Sequence, residues 1–256
     1  MLFDSHAHYN DHAFDSDRHE ILSQMRENGI EYIMNAADSM KSVETIIELA
    51  EKYPFLYASA GVHPENAGGL TESDMDMLEQ YAQHEKVRAI GEIGLDYHYD
   101  DVPREVQQKW FARQIDLARK LNLPVIVHDR EAHEDTLKIL RAHHADEVGG
   151  VLHCYSGSAE MVRDVLDLGF YLGFGGTLTF KNAKKVHKAA EAAPIERIVL
   201  ETDCPYLAPE PHRGTRNSSL LMHFVAERLA QIKGISVGEV EEITLSNAKR
   251  LYRIQN

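Results

Sequence analysis

Short runs rich in β-branched and apolar residues alternate with longer amphipathic runs from one end of the chain to the other. Eight of the short runs read as strands: Leu2 to His6, Tyr32 to Ala36, Leu56 to Gly61, Val87 to Glu92, Pro124 to His128, Gly150 to His153, Phe170 to Phe174 and Ile198 to Asp203. Between them apolar residues recur at helical spacing, as in Phe111, Ile115, Ala118 and Leu121, or Val43, Ile46, Ile47 and Ala50. The punctuation agrees. Gly29 and Gly169 stand where a helix would end and a strand begin, while Thr71-Glu72-Ser73-Asp74 and Ser236-Val237-Gly238-Glu239 look like capped helix starts.

Eight strand-helix units in 256 residues predict a (β/α)8 TIM barrel, built as a single domain over residues 1–256. A doubly wound open sheet is the alternative, but it would want a Gly-x-Gly-x-x-Gly turn after its first strand, and the turn here is His-Ala-His-Tyr-Asn. A further helical stretch from Ser218 to Tyr252 should cover one end of the barrel or pack beside its first strand.

Composition narrows the partners. The 41 acidic and 27 basic residues give a net charge of -14, which repels polyanions over most of the surface and argues against broad, non-specific nucleic-acid binding. Two cysteines, Cys154 and Cys204, are too few for a disulfide framework and suit a reducing compartment. Neither a signal peptide nor a membrane span is legible, so a cytoplasmic location with no membrane partner is expected.

The candidate chemistry lies at the strand ends. Reading the C-terminal residue of each predicted strand gives His6 with His8, Asn35, His63, Glu92, His128, His153, the glycines around Gly175, and Asp203. In a barrel all these ends open on one face. His6 and His8 share a parity on their strand and so project to the same side. A lone histidine at a strand end is more often pocket lining than a ligand, yet His6, His8, Glu92, His128, His153 and Asp203 together supply nitrogen and oxygen donors without sulfur. That set suits Zn, Mn or Mg, and it exceeds what one catalytic ion takes from protein, so two divalent ions are expected. Glu92 would bridge them, with His6, His8 and Asp203 on one side and His128 with His153 on the other. Ions about 3.5 to 4 Å apart can activate a water and clamp the attacked and leaving oxygens of a displacement, which points to hydrolysis. Cys154 and Cys204 follow ligand candidates directly, and strand alternation would turn both outward as buried packing residues.

Eight ordered stretches resemble the TatD family of metal-dependent hydrolases, within the amidohydrolase-type barrels. They are "FDSHAHYN" at 3–10, "GVHPE" at 61–65, "AIGEIGLDYHYD" at 89–100, "PVIVHDRE" at 124–131, "LHCYSGS" at 152–158, "FGGTLTFKNA" at 174–183, "LETDCPYLAPEPHRGTRN" at 200–217 and "NAKRLY" at 247–252. The resemblance implies a two-metal deoxyribonuclease, a 3′ to 5′ exonuclease on single-stranded DNA with RNA accepted by some members, and it implies the same six ligands. Asp203 would also accept a proton, and Glu92 would be catalytic through its bridging role. His63, Arg130 and Arg213 are candidates for contacting phosphate, since guanidinium and imidazole groups donate to phosphate oxygens. The chain departs from the family pattern after "HRGTRN", where Ser218 and Ser219 replace an acid and a proline, which predicts a less rigid loop around Arg213.

Nucleic acid is therefore the expected substrate, with no obligate protein partner. The same donor set on the same barrel would also serve hydrolysis of a C–O or C–N bond in a lactone, an amide or a D-aminoacyl-tRNA. Tyr97 and Tyr99 could stack one terminal base. A binding protein without turnover is the remaining alternative, and it fits poorly with donors at an open barrel face.

Overall fold

The computed structural model describes residues 1–255. Its first half runs β1 (Leu2–Ala7), α1 (Arg18–Ser23), β2 (Ile30–Asn35), α2 (Met40–Lys52), β3 (Leu56–Ala60), α3 (Glu72–Tyr81), β4 (Val87–Asp96) and α4 (Arg104–Leu121). The second half runs β5 (Val125–Arg130), α5 (His133–Ala142), β6 (Gly150–Leu152), α6 (Met161–Asp167), β7 (Tyr171–Phe174), α7 (Lys184–Ala192), β8 (Ile198–Leu200), α8 (Met222–Lys233) and α9 (Val237–Leu251). The strands follow chain order from β1 to β8 in one sheet, and each described pairing is parallel. This is the (β/α)8 pattern that the alternation predicts.

The chain divides into two compact units, one of Met1–Asn35, Cys154–Arg163 and Leu172 onward, the other of Ala36–His153 and Asp164–Tyr171. In the first unit α9 packs on β1 and β8. Phe3 stacks between Tyr32 and Tyr252, and the Tyr252 hydroxyl donates to the Ser5 carbonyl at 2.7 Å. The stretch from Ser218 onward is thus two helices rather than one. Gly234, in the left-handed region at φ 68°, ends α8, and a capping box between Ser236 and Glu239 starts α9.

In the second unit α4 carries the helical pattern that the sequence shows. Trp110, Phe111, Ile115, Leu117 and Ala118 are buried, each large side chain contributing about 1.5 to 3 kcal/mol by leaving water. Two glutamines share that face and are fully occupied. Gln107 bonds the backbone N–H and carbonyl of Asp96, and Gln114 those of Val62, which ties the helix to β4 and to the segment after β3. The capping box predicted at Thr71 is present, with Asp74 as its partner.

Strand ends differ from the pattern reading in ways that matter for the site. β4 runs on to Asp96 instead of stopping at Glu92. β8 stops at Leu200, and Asp203 lies beyond it in the left-handed region at φ 57°, a conformation no strand contains. β6 likewise stops at Leu152, with Cys154 at φ 43°. Outward turning by strand alternation therefore does not govern either cysteine. Cys204 is buried, with its thiol pushed up by burial and beside Thr202 and Tyr9, whereas Cys154 is half-buried rather than a packing residue. No helix among the described residues is long and apolar enough to cross a membrane.

Candidate metal centre

The first unit brings together His6, His8 and Asp203. His6 and His8 lie two residues apart on one side of β1 and its extension, as parity predicts, and their Nε2 atoms are 3.0 Å apart. Asp203 Oδ1 stands 3.7 Å from His6 Nε2 and 3.4 Å from His8 Nε2. All three donor atoms lie within 4.8 Å of one another, in surroundings where both imidazoles are buried. Two imidazole nitrogens and a carboxylate oxygen aimed at one point are the donor chemistry of a borderline or hard divalent ion.

Asp203 reaches that point because β1 holds its segment. Its N–H bonds the His6 carbonyl at 2.9 Å, the N–H of His8 bonds the Cys204 carbonyl at 2.8 Å, and Ala7 pairs with Cys204 in a parallel bridge. Beneath them the buried Asp4 carboxylate accepts from the Thr202 N–H at 2.9 Å and the Thr202 hydroxyl at 2.6 Å. Burial pushes the Asp4 carboxyl up to about 6, against the pull of its hydrogen bonds.

The second unit assembles its own cluster around Glu92, whose Oε1 lies 2.9 Å from His128 Nδ1, 2.7 Å from His153 Nε2 and 3.6 Å from His63 Nε2. Glu92 is 3% exposed, so its charge is held by these imidazoles and not by water. The donor atoms of His63, Glu92 and His128 converge within 4.8 Å. His63, expected to meet substrate, thus stands among the donors, its ring edge-on to His128 at 4.3 Å.

Asp96 is the residue that the sequence reading passed over. Its Oδ2 lies 3.0 Å from His128 Nε2 while Nδ1 of the same ring faces Glu92, and this fixes the imidazole plane from both sides. Burial disfavours the charged imidazole, but the bonds to Asp96 and Glu92 outweigh it and push His128 up to about 10. The available signal was parity: Glu92 and Asp96 are four residues apart on one strand and face the same side. Gly94 between them has φ 147°, and a Cβ there would overlap the His128 carbonyl oxygen, so glycine permits the close approach of β4 to β5.

The other predicted contacts are placed as follows. Arg130 is half-exposed, 3.9 Å from Asp96 Oδ2 and 5.1 Å above the Tyr99 ring. Arg213 is exposed and lies 4.4 Å over the Phe180 ring. Tyr97 is tied down by its hydroxyl to Asp135 at 2.8 Å, and Tyr99 is 45% exposed. The loop around Arg213 is anchored in place of the missing proline: Ser219 bonds Asp4 and Tyr9, and Asn217 bonds the Thr202 and Tyr206 carbonyls.

A (β/α)8 chain with nitrogen and oxygen donors collected at its strand ends has the make-up of a metal-dependent hydrolase. The family model described as TatD related DNase matches residues 3–253, so the chain belongs to the TatD family of metal-dependent hydrolases. The protein named "Uncharacterized metal-dependent hydrolase YabD" of Bacillus subtilis (strain 168) is 44% identical over 254 residues, covering 99% of this chain and all of its own length. Among solved structures, the TatD homologue YJJV of Escherichia coli K12 superposes with a TM-score of 0.93 at 30% identity, covering 99% of this chain and 98% of its own. The TatD-family hydrolase of Entamoeba histolytica gives 0.89 at 25% identity, covering 98% and 97%.

Proposed function

We propose that this chain hydrolyses phosphodiester bonds in nucleic acid as a 3′ to 5′ exodeoxyribonuclease on single-stranded DNA, working as one catalytic domain with two divalent ions. The observation that carries the reading is the pair of converging donor clusters, His6–His8–Asp203 and Glu92–His128–His153, in a family whose model is described as a DNase. His6, His8 and Asp203 would hold one ion, His128 and His153 the other, and Glu92 would bridge, since the strand ends of a barrel share one face. Bound there, Mg, Mn or Zn would supply Lewis-acid activation of water and of the phosphoryl oxygens.

The protein's own groups do the rest. Asp203 is the least buried carboxylate of the set, with its side chain 17% exposed, and would accept a proton from the attacking water. Asp96 holds the His128 ring in orientation. Arg213 and Arg130, both exposed enough to meet substrate, would take the phosphate, and His63 would contribute from within the Glu92 cluster. Two free thiols suit the cytoplasm as the working compartment.

The test is a time course of chelator-stripped protein on end-labelled single-stranded DNA, with Mg, Mn or Zn returned singly and Glu92→Ala as control. A metal-dependent ladder shortening from the 3′ end, absent in the variant, is the expected outcome. Unchanged turnover by Glu92→Ala would sink the bridging assignment. No cleavage with any ion would shift the reading to C–O or C–N hydrolysis on the same donors, with D-aminoacyl-tRNA as the next substrate. The net charge of -14 lends that second reading its support, because it favours a small or end-bound substrate.

A further inference from the structure

The first unit carries a cationic surface that the metal clusters do not use. Residues 180–188 read FKNAKKVHK, four lysines and no acid, in a chain of net charge -14. Residues 211–217, PHRGTRN, add two arginines and again no acid. These segments follow the C-terminal ends of β7 and β8, the ends from which Asp203 also emerges.

The tertiary structure joins them. Gly176, just after β7, has room for no Cβ, which would overlap the Leu207 carbonyl oxygen, and the Thr179 hydroxyl accepts from the Glu210 N–H at 2.8 Å. The loop after β8 is thereby pressed against the loop after β7, and the Arg213 guanidinium comes to rest 4.4 Å over the Phe180 ring. His212, next in line, lies 5.1 Å from the ring of Phe224 at the start of α8. Arg216 is committed elsewhere, to Asp17 at 2.5 and 2.8 Å, and Lys188 adds a weaker pull on the Glu160 carboxyl, which the Ser158 side chain chiefly holds down. In contrast, Lys181, Lys184, Lys185 and Arg213 are exposed, and none has a carboxylate partner among the described residues.

We propose that Lys181, Lys184, Lys185 and the Phe180–Arg213 stack form a landing track for a single nucleic-acid strand, guiding it towards the donors at the same strand ends. The proposal rests on the nuclease reading and names where its substrate lies beyond the scissile bond. A guanidinium held over an aromatic ring keeps its N–H edge for phosphate and offers its outer face to a base, and stacking of that kind accepts any base. Unpaired ammonium groups take the phosphates of the strand. Local positive charge within a repelling surface also confines the strand to this path.

The test is fluorescence anisotropy of a fluorescein-labelled 15-residue oligothymidylate against the full chain in chelator, from 50 to 200 mM salt. One variant reverses Lys181→Glu, Lys184→Glu and Lys185→Glu together. A control variant makes the same change in net charge at three exposed lysines of the second unit, Lys41→Glu, Lys52→Glu and Lys138→Glu. The track variant should bind at least tenfold more weakly than the control at 50 mM salt. Its slope of log affinity against log salt should be shallower by about two, at roughly 0.7 for each phosphate that the lysines no longer neutralise. Phe180→Ala should weaken binding about fivefold or more without changing the slope. Equal losses in the two triple variants, or no binding by the unmodified chain, would overturn the track. Because the assay contains no metal, it separates the two ideas. Binding through these lysines without cleavage when metal is restored would support the track and defeat the nuclease reading.

Discussion

Ser219 donates its hydroxyl to the carboxylate of Asp4 at 2.6 Å, across 215 positions of sequence. The same serine donates its N–H to the Tyr9 hydroxyl at 2.9 Å, and because its own hydroxyl proton goes to Asp4, the Tyr9 hydroxyl donates to Ser219 Oγ at 2.8 Å. All three residues are fully buried. The loop that carries Arg213 is thereby fastened to the strand that carries His6. Ser219→Ala removes a hydrogen bond to a buried charge and the acceptor of the buried Tyr9 hydroxyl, and should cost about 2 kcal/mol or more, a fall of at least roughly 4 to 8 °C in melting temperature. A melting curve unchanged by the substitution would show that the loop is held without this bond.

Asp4 gives stability a defined pH dependence. Its carboxyl is raised from 3.8 to about 6 in the folded chain, chiefly by burial. A raised carboxyl makes its contribution fully below the unfolded value and loses it as pH climbs through the folded one, so holding Asp4 ionised at pH 8 costs about 3 kcal/mol. Asp4→Asn carries no such dependence. Urea melts of both proteins should show the unmodified chain gaining on the variant as pH falls from 7.5 to 4. A gap that stays flat over that window would mean that the carboxyl titrates normally.

His128 should release a proton when metal binds. With its imidazole raised to about 10, it is protonated at pH 8 in the metal-free chain, and in the ligand role proposed above its nitrogen would have to give up that proton. Its raised value also means that the ion pairs around it stabilise the metal-free fold below about 6.5 and that this support is lost as pH rises through 10. Calorimetric titration of Mn in buffers of differing ionisation enthalpy should report about one proton released at pH 8. Asp96→Asn removes one of the groups that raise the imidazole, so it should release fewer. An equal release would detach Asp96 from the titration.

Gly94 should tolerate no side chain. A Cβ at φ 147° beside the His128 carbonyl forces β4 away from β5. Gly94→Ala should cost about 3 kcal/mol or more and weaken metal binding about tenfold, because both His128 and Asp96 lose their register. Calorimetry of the variant with and without Mn checks both parts.

Much of this was legible in the sequence, for identifiable reasons. Period-two and period-3.6 patterns report burial directly, so all eight strands and the apolar faces of α2 and α4 could be read from them. Parity along one strand placed His6 and His8 on the same side, and their Nε2 atoms do meet. Where the reading failed, backbone conformation had departed from the strand. Asp203 and Cys154 adopt positive φ after β8 and β6, which no hydrophobic pattern encodes. Asp96 was missed because an acid near a strand end reads as solvated until its partner's ring is in place.

The sequence by itself determined the strand and helix order, the donor types and the parity that pairs His6 with His8, because these depend on local spacing and side-chain chemistry. Only the tertiary structure decided which groups are joined across the chain. Asp4 to Ser219, Asp96 to His128 and Arg213 to Phe180 are contacts between segments whose separation in sequence carries no information about distance. They exist because parallel strands in register, and close approaches that only Gly94 and Gly176 allow, bring those side chains together.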